Sequence, residues 1–264
     1  MKPKALILQA HGSNRDLDVL EALTLAGADA IGIPLNKLRQ DKALLSDFQL
    51  LVIPGGFSYA DALGAGKLLA IDLASYFADE ISTFVASGKP VIGICNGFQA
   101  LVKSGILPSG GTKEEKRNNA SGATLTFNEQ GRFECRWVTL KPVSQTCVWT
   151  KGLDELIECP VAHGEGNFQV SSLVPLSSLL DHDQIALLYT DRDGVPAGGK
   201  YPLNPNGSIH DIAGICNPQG NVLGLMPHPE NHIHPFQHPL WTRRGARHCG
   251  LALFENGVRY AAGI

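Results

Sequence analysis

No apolar run in this chain approaches the roughly 20 residues that a membrane-spanning helix needs, so the sequence offers no transmembrane helix. None of its 6 cysteines stands in a C-x-x-C pair, which removes zinc ribbons and dithiol redox motifs. Cys95, Cys135, Cys147, Cys159, Cys216 and Cys249 are scattered and read as free thiols in a reducing cytoplasm rather than a disulfide frame. An excess of one charge is also missing. The 22 basic and 25 acidic residues leave a net charge of −3, which supplies no electrostatic footprint for nucleic acid or a membrane surface. There is no G-x-x-x-x-G-K-[ST] loop, no repeat and no low-complexity tract. The apolar part of "MKPKALILQAHG" is too short for a secretion signal, so a cytoplasmic protein is expected. The sequons at Asn119 and Asn206 then read as accidental.

Strand and helix patterns alternate through the first hundred residues. "KALILQA", "DAIGIPL" and "FQLLVIPGG" read as strands, with "DLDVLEALTLAGA" as a helix ending at Gly27. "AIDLASYFADEISTFVASG" reads as one long helix leading into the next strand. This rhythm predicts an α/β fold over 1–264: a doubly wound, mostly parallel sheet with helices on both faces. A polar loop, "GGTKEEKRNNASGA", follows. Beyond it come two extended runs around "NEQG", then mostly strands and turns, so an antiparallel region is expected in the C-terminal half. "NPQGN" reads as a hairpin turn. "GLALFENGVRYAAG" reads as a closing helix with Leu251, Phe254 and Val258 on one face.

The stretch "KPVIGICNGFQALVKSG" holds Cys95 between Gly93 and Gly97. A buried strand, "PVIGIC", gives way there to a short helix. A sharp strand-to-helix turn needs small neighbours, and it aims helix N-terminal N–H groups at its central side chain. A cysteine so placed is a candidate nucleophile. Taken alone, the stretch is equally compatible with a structural core thiol.

A thiol nucleophile needs a base and an orienter. "LGLMPHPEN" offers His228 and Glu230, two apart in a segment that the flanking Pro227 and Pro229 predict to be extended, with both side chains on one side. A solvated histidine in a proline-rich turn is the plainer alternative. Because His228, His232, His234 and His238 crowd one stretch, a metal site is a further alternative, against which the prolines and the lack of a zinc spacing argue. Gly55 and Gly56, after the third strand, could bring backbone N–H groups close to a developing oxyanion, with the Asn96 N–H as a second donor.

Six blocks in order, "PGGFSYAD", "GICNGFQAL", "NEQGRFECRW", "AHGEGNF", "YPLNPNGSIHDIAGICN" and "GLMPHPE", resemble the class I glutamine amidotransferases. Among these they resemble the glutaminase subunits of phosphoribosylformylglycinamidine synthases. The resemblance runs from about Leu6 to Tyr260 and implies a flavodoxin-like fold. It implies Cys95 as nucleophile, His228 as base and Glu230 as orienter. It also implies oxyanion donors around Gly56, Phe57 and Asn96, with Gln99 and the backbone near Gly164 and Gly166 holding L-glutamine. No metal or cofactor is expected in this chain. ATP and magnesium belong to a partner synthetase subunit, with a third small subunit left open. The chain departs from the pattern at Ala60, where glycine is common, at Gly64, where arginine is common, and at Arg15 and Asn231. Another cysteine hydrolase and a non-enzymatic binding module of the same fold are the rival readings.

Overall fold

The computed structural model describes residues 2–109, 122–244 and 249–264. Nine strands form one mixed sheet in the order β2-β1-β3-β4-β11-β10-β9-β6-β7. The parallel half holds β1 (Lys4–Gln9), β2 (Asp29–Pro34), β3 (Leu50–Ile53), β4 (Val91–Ile94) and β11 (Val222–Leu225). The antiparallel region extends that same sheet through β10 (Ile212–Cys216), β9 (Ile185–Thr190), β6 (Glu134–Pro142) and β7 (Ile157–His163).

β3 reads "LLVI" and β4 "VIGI", and every residue of both is buried. A strand buried on both faces needs cover on both. Part of that cover comes from two helix contacts. α1 (Asp16–Leu25) packs on the C-terminal helix Leu251–Ala262, and α3 (Lys67–Tyr76) packs on α5 (Asn96–Lys103). Between α1 and α3 lies the short α2 (Leu35–Gln40), which the sequence pattern does not announce. In the C-terminal helix Phe254 and Val258 are buried and Leu251 packs against the core, as the periodicity predicts.

One expectation changes. The long helix is two, α3 and α4 (Ala78–Ala86), broken at Phe77 (φ −125°, ψ 13°). No glycine or proline marks the break. It puts Phe77, Leu73 and Ile81 into the core together. The two extended runs around "NEQG" are β5 (Ala123–Thr126) and β6, and β5 pairs with β8 (Asn167–Val170) in a separate two-stranded sheet. Most of the polar loop "GGTKEEKRNNASGA", with Asn119, lies outside the described residues. The "NPQGN" hairpin joins β10 to β11 as expected.

Candidate active site

Cys95 caps α5 at the end of β4 with φ 50° and ψ −104°, a left-handed conformation that costs a residue with a Cβ on the order of 1–3 kcal/mol. The surroundings hold it there. Its N–H donates to the Leu225 carbonyl (2.8 Å) and its carbonyl accepts from Gln99 N–H (3.0 Å). The flanking glycines are steric necessities. A Cβ on Gly97 would lie 1.9 Å from the Ile53 carbonyl oxygen, and one on Gly93 would lie 2.8 Å from the Gly97 backbone. Helix α5 therefore rests backbone to backbone on the sheet. Gly97→Ala is expected to destabilise the fold by about 3 kcal/mol or more, measured by denaturant unfolding; an unchanged midpoint would contradict this packing.

The base arrives from the neighbouring strand. β11 pairs with β4 in parallel, Leu225 opposite Ile94, so the residues after each strand emerge side by side. His228 N–H donates to the Pro160 carbonyl on β7 (2.8 Å). The segment is not extended as predicted. Pro229–Asn231 forms a 3₁₀ turn, for which proline at the first position is pre-set. That turn carries Glu230 back to the imidazole, with Nδ1 2.7 Å from Glu230 Oε1. A carboxylate only accepts, so Nδ1 donates, and Nε2 is left for the nearby Cys95 sulfur. Both residues are buried. Burial alone would lower the His228 pKa. The Glu230 carboxylate and Cys95 outweigh it and push the value up to about 10.

The Cys95 thiol also lies 3.7 Å from the Ala162 carbonyl on β7. It opens on a cavity of about 150 Å³ lined in part by Gly56, Gln99, Phe133, Gly164 and Glu165. Residues 55–57 run antiparallel to 12–14. Gly55 O accepts from Asn14 N–H (3.3 Å), and Phe57 N–H donates to Gly12 O (2.9 Å). The Phe57 amide is thus committed, contrary to the expectation that it serves an oxyanion. By strand alternation the Gly56 N–H points to the opposite edge, and Gly56 lines the cavity. The Asn96 N–H opens α5, one of the donors a helix leaves unpaired. Gly55 lies against the base, since a Cβ there would sit 2.7 Å from His228 Cε1.

The comparisons with known proteins agree with this geometry. Residues 2–261 match the family model for CobB/CobQ-like glutamine amidotransferase domains. The chain is 58% identical to phosphoribosylformylglycinamidine synthase subunit PurQ of Treponema denticola, covering 98% of this chain and 99% of that one. It is 43% identical to the PurQ subunit of Dehalococcoides mccartyi, over 98% of each. The chain belongs to the PurQ family of glutamine amidotransferases. Among solved structures it resembles PurLQS from Thermotoga maritima, at 32% identity and a TM-score of 0.73, covering 98% of this chain and 99% of that one.

Within this amidotransferase the remaining residues of the expected site divide. Gln99 lines the cavity, but its amide is already engaged. Nε2 donates to Glu165 O (2.7 Å), and Oε1 accepts from Asn96 Nδ2 (3.0 Å). It ties the loop after β7 to α5. Gly164 lines the cavity. Gly166 does not offer its N–H, which donates to Asn128 Oδ1 (2.9 Å); a Cβ there would lie 2.4 Å from the His163 ring.

Asp61 and Ala65, in and after the "PGGFSYAD" turn, also line the cavity and are not among the site residues expected from sequence. Tyr59, Ala60, Asp61 and Leu63 all have φ between 52° and 64°, which explains why glycine is comfortable where Ala60 stands. Asp61 Oδ1 accepts from Asn96 Nδ2 (3.0 Å), and Glu165 bridges Ala65 N–H and Lys103. The only sequence signal is the small-residue run "ADALGAG". His232 and His238, offered among the alternative metal ligands, are buried beside Trp137. Among the described residues no group of three or more His, Cys, Asp or Glu is arranged to hold a metal.

Proposed function

We propose that this chain is the glutaminase subunit of a cytoplasmic phosphoribosylformylglycinamidine synthase in purine biosynthesis, acting as one domain. The observation that carries the reading is the buried Cys95–His228–Glu230 contact at the mouth of a small cavity. The Cys95 sulfur attacks the carboxamide carbon of L-glutamine, and the carbonyl oxygen becomes an oxyanion facing the Gly56 and Asn96 N–H groups. His228 Nε2 carries the thiol proton and delivers it to the leaving nitrogen, releasing ammonia and a γ-glutamyl thioester. Water, deprotonated by the same nitrogen, then hydrolyses the thioester to glutamate and restores the thiol. Glu230 holds the ring in the required tautomer throughout.

Ammonia passes to a synthetase subunit, which uses ATP and magnesium to make formylglycinamidine ribonucleotide; this chain needs no cofactor of its own. The similarity to the PurLQS structure from Thermotoga maritima supports such an assembly. The docking surface is expected around the cavity mouth, where Phe57, Phe127, Phe133 and Leu63 are exposed.

The test is covalent labelling with a glutamine-shaped electrophile. Cys95 is expected to react alone among the six cysteines. Of the six, Cys95 is the one that lines the cavity, and burial holds the Cys159 thiol well above its usual range. Label spread over other cysteines with Cys95 untouched would falsify the reading. In a companion titration, glutamine hydrolysis by the chain should rise as synthetase is added, because a settled oxyanion strand helps the transition state more than the ground state. A chain already at full rate alone would remove that coupling and leave the hydrolase assignment standing.

A further inference from the structure

Asn128 lies just past β5, in the segment "NEQG" that reads from sequence as a turn and nothing more. Its side chain makes every hydrogen bond that a carboxamide can. Nδ2 donates to Arg132 O (2.9 Å) and to His163 O (2.8 Å). Oδ1 accepts from Gly166 N–H (2.9 Å) and meets His163 Nδ1 at 3.1 Å. Its own N–H donates to Gly164 O (2.9 Å). Four of these five bonds end on His163, Gly164 and Gly166, the loop between β7 and β8 that walls the Cys95 cavity. Asn128 is buried, so the bonds form where water does not compete.

The pattern dictates where the protons sit. The Arg132 and His163 carbonyls can only accept, so they face the amide's NH₂ end, and Oδ1 is left as an acceptor. An acceptor facing His163 Nδ1 requires a proton on that nitrogen. The other tautomer would set two lone pairs against each other and bury an Nε2–H that has no hydrogen-bond partner among the described residues. The ring is neutral. Burial lowers its pKa to about 3, nearby His228 pushes the same way, and Glu134 opposes. The ring also lies over Gly166, which has no room for a Cβ. Asn128, His163 and Gly166 therefore lock as one unit.

We propose that Asn128 is the positioning residue of the glutamine-holding loop, fixing His163 as its Nδ1–H tautomer and the Gly164–Gly166 backbone in the shape that receives substrate. This rests on the glutaminase reading above. Aspartate in its place lacks the donors, and leucine lacks all four bonds.

The test compares Asn128→Asp and Asn128→Leu with the wild type, each with saturating synthetase. The KM for glutamine is expected to rise roughly 10- to 100-fold in both, as buried partners are left unpaired, with kcat changed about threefold or less. Cys95 labelling by iodoacetamide, which needs no glutamine loop, should stay within about twofold. Labelling by a glutamine-shaped electrophile should slow by the same factor as KM rises. An unchanged KM in both variants, or a fall in kcat at constant KM, overturns the proposal. Nitrogen NMR of the wild-type imidazoles is the measurement that does not depend on the variants folding. His163 is expected to show a protonated Nδ1 and a bare Nε2 from about pH 5 to 8, and an Nε2–H tautomer or an imidazolium there overturns the assignment. Failure of the glutamine-shaped reagent on the wild-type chain is a separate outcome that overturns the Cys95 reading, and this proposal with it.

Discussion

Replacing His228 with alanine is expected to reduce glutamine turnover by roughly 10⁴- to 10⁶-fold, the range seen when a nucleophile loses its proton-carrying partner. Three observations set that size. The ring lies beside Cys95, which helps to raise its pKa; its Nδ1 is held by Glu230 at 2.7 Å; and the pair is closed to solvent, so water does not stand in for it. Glu230→Gln keeps an acceptor near Nδ1 but loses the negative charge, and should cost less, roughly 10²- to 10⁴-fold. Steady-state kinetics on the complex decide both, and wild-type turnover in His228→Ala would end the triad assignment.

The same pair predicts a pH dependence of stability. The folded pKa of His228, about 10, lies above its ordinary value near 6.5. A raised pKa contributes stability that is full below the unfolded value and is lost as pH rises through the folded one. The wild-type unfolding midpoint should therefore carry a component that falls between about pH 6.5 and 10. Glu230→Gln, which removes the main raising charge, should flatten that component. Parallel pH profiles for the two proteins would refute the linkage.

The second large effect is expected at Gly56. With φ 139°, a Cβ there would lie 2.7 Å from Asn14 N and 2.8 Å from Gly12 O, so alanine must displace the strand that carries the free amide. Losing one oxyanion donor costs roughly 10²–10³ in kcat, while alkylation of Cys95 by a small reagent, which forms no oxyanion, should persist. Gly27→Ala is the control. Its φ is 99°, but nothing lies within 4 Å of the added carbon, so it should cost about 1 kcal/mol of stability and leave turnover alone. A Gly56→Ala enzyme with unchanged kcat would mean that the oxyanion is held elsewhere.

Local pattern was enough for β1 to β4 of the parallel half, for the elbow and for offering Cys95, His228 and Glu230 as candidates, whose roles the family resemblance then implied. Apolar periodicity, glycine placement and proline spacing each act within a few residues, and short-range sterics impose them whatever the rest of the chain does. What lay beyond the sequence depends on partners far away along it. The helix break at Phe77 carries no local signal and follows from which side chains share a core. β5 passes over β6 to pair with β8, a choice between equally plausible edges. The Phe57 amide is lost to the oxyanion because Gly12, some forty-five residues earlier, takes it. Asn128 looks like a turn residue until four of its bonds land on His163, Gly164 and Gly166, thirty-five to thirty-eight residues away. His232 and His238 read only as members of a histidine-crowded stretch until the fold sets Trp137 against them. Hydrogen-bond donors and acceptors are local in type but tertiary in use, so sequence names the chemistry present and only the folded chain decides which groups remain free to perform it.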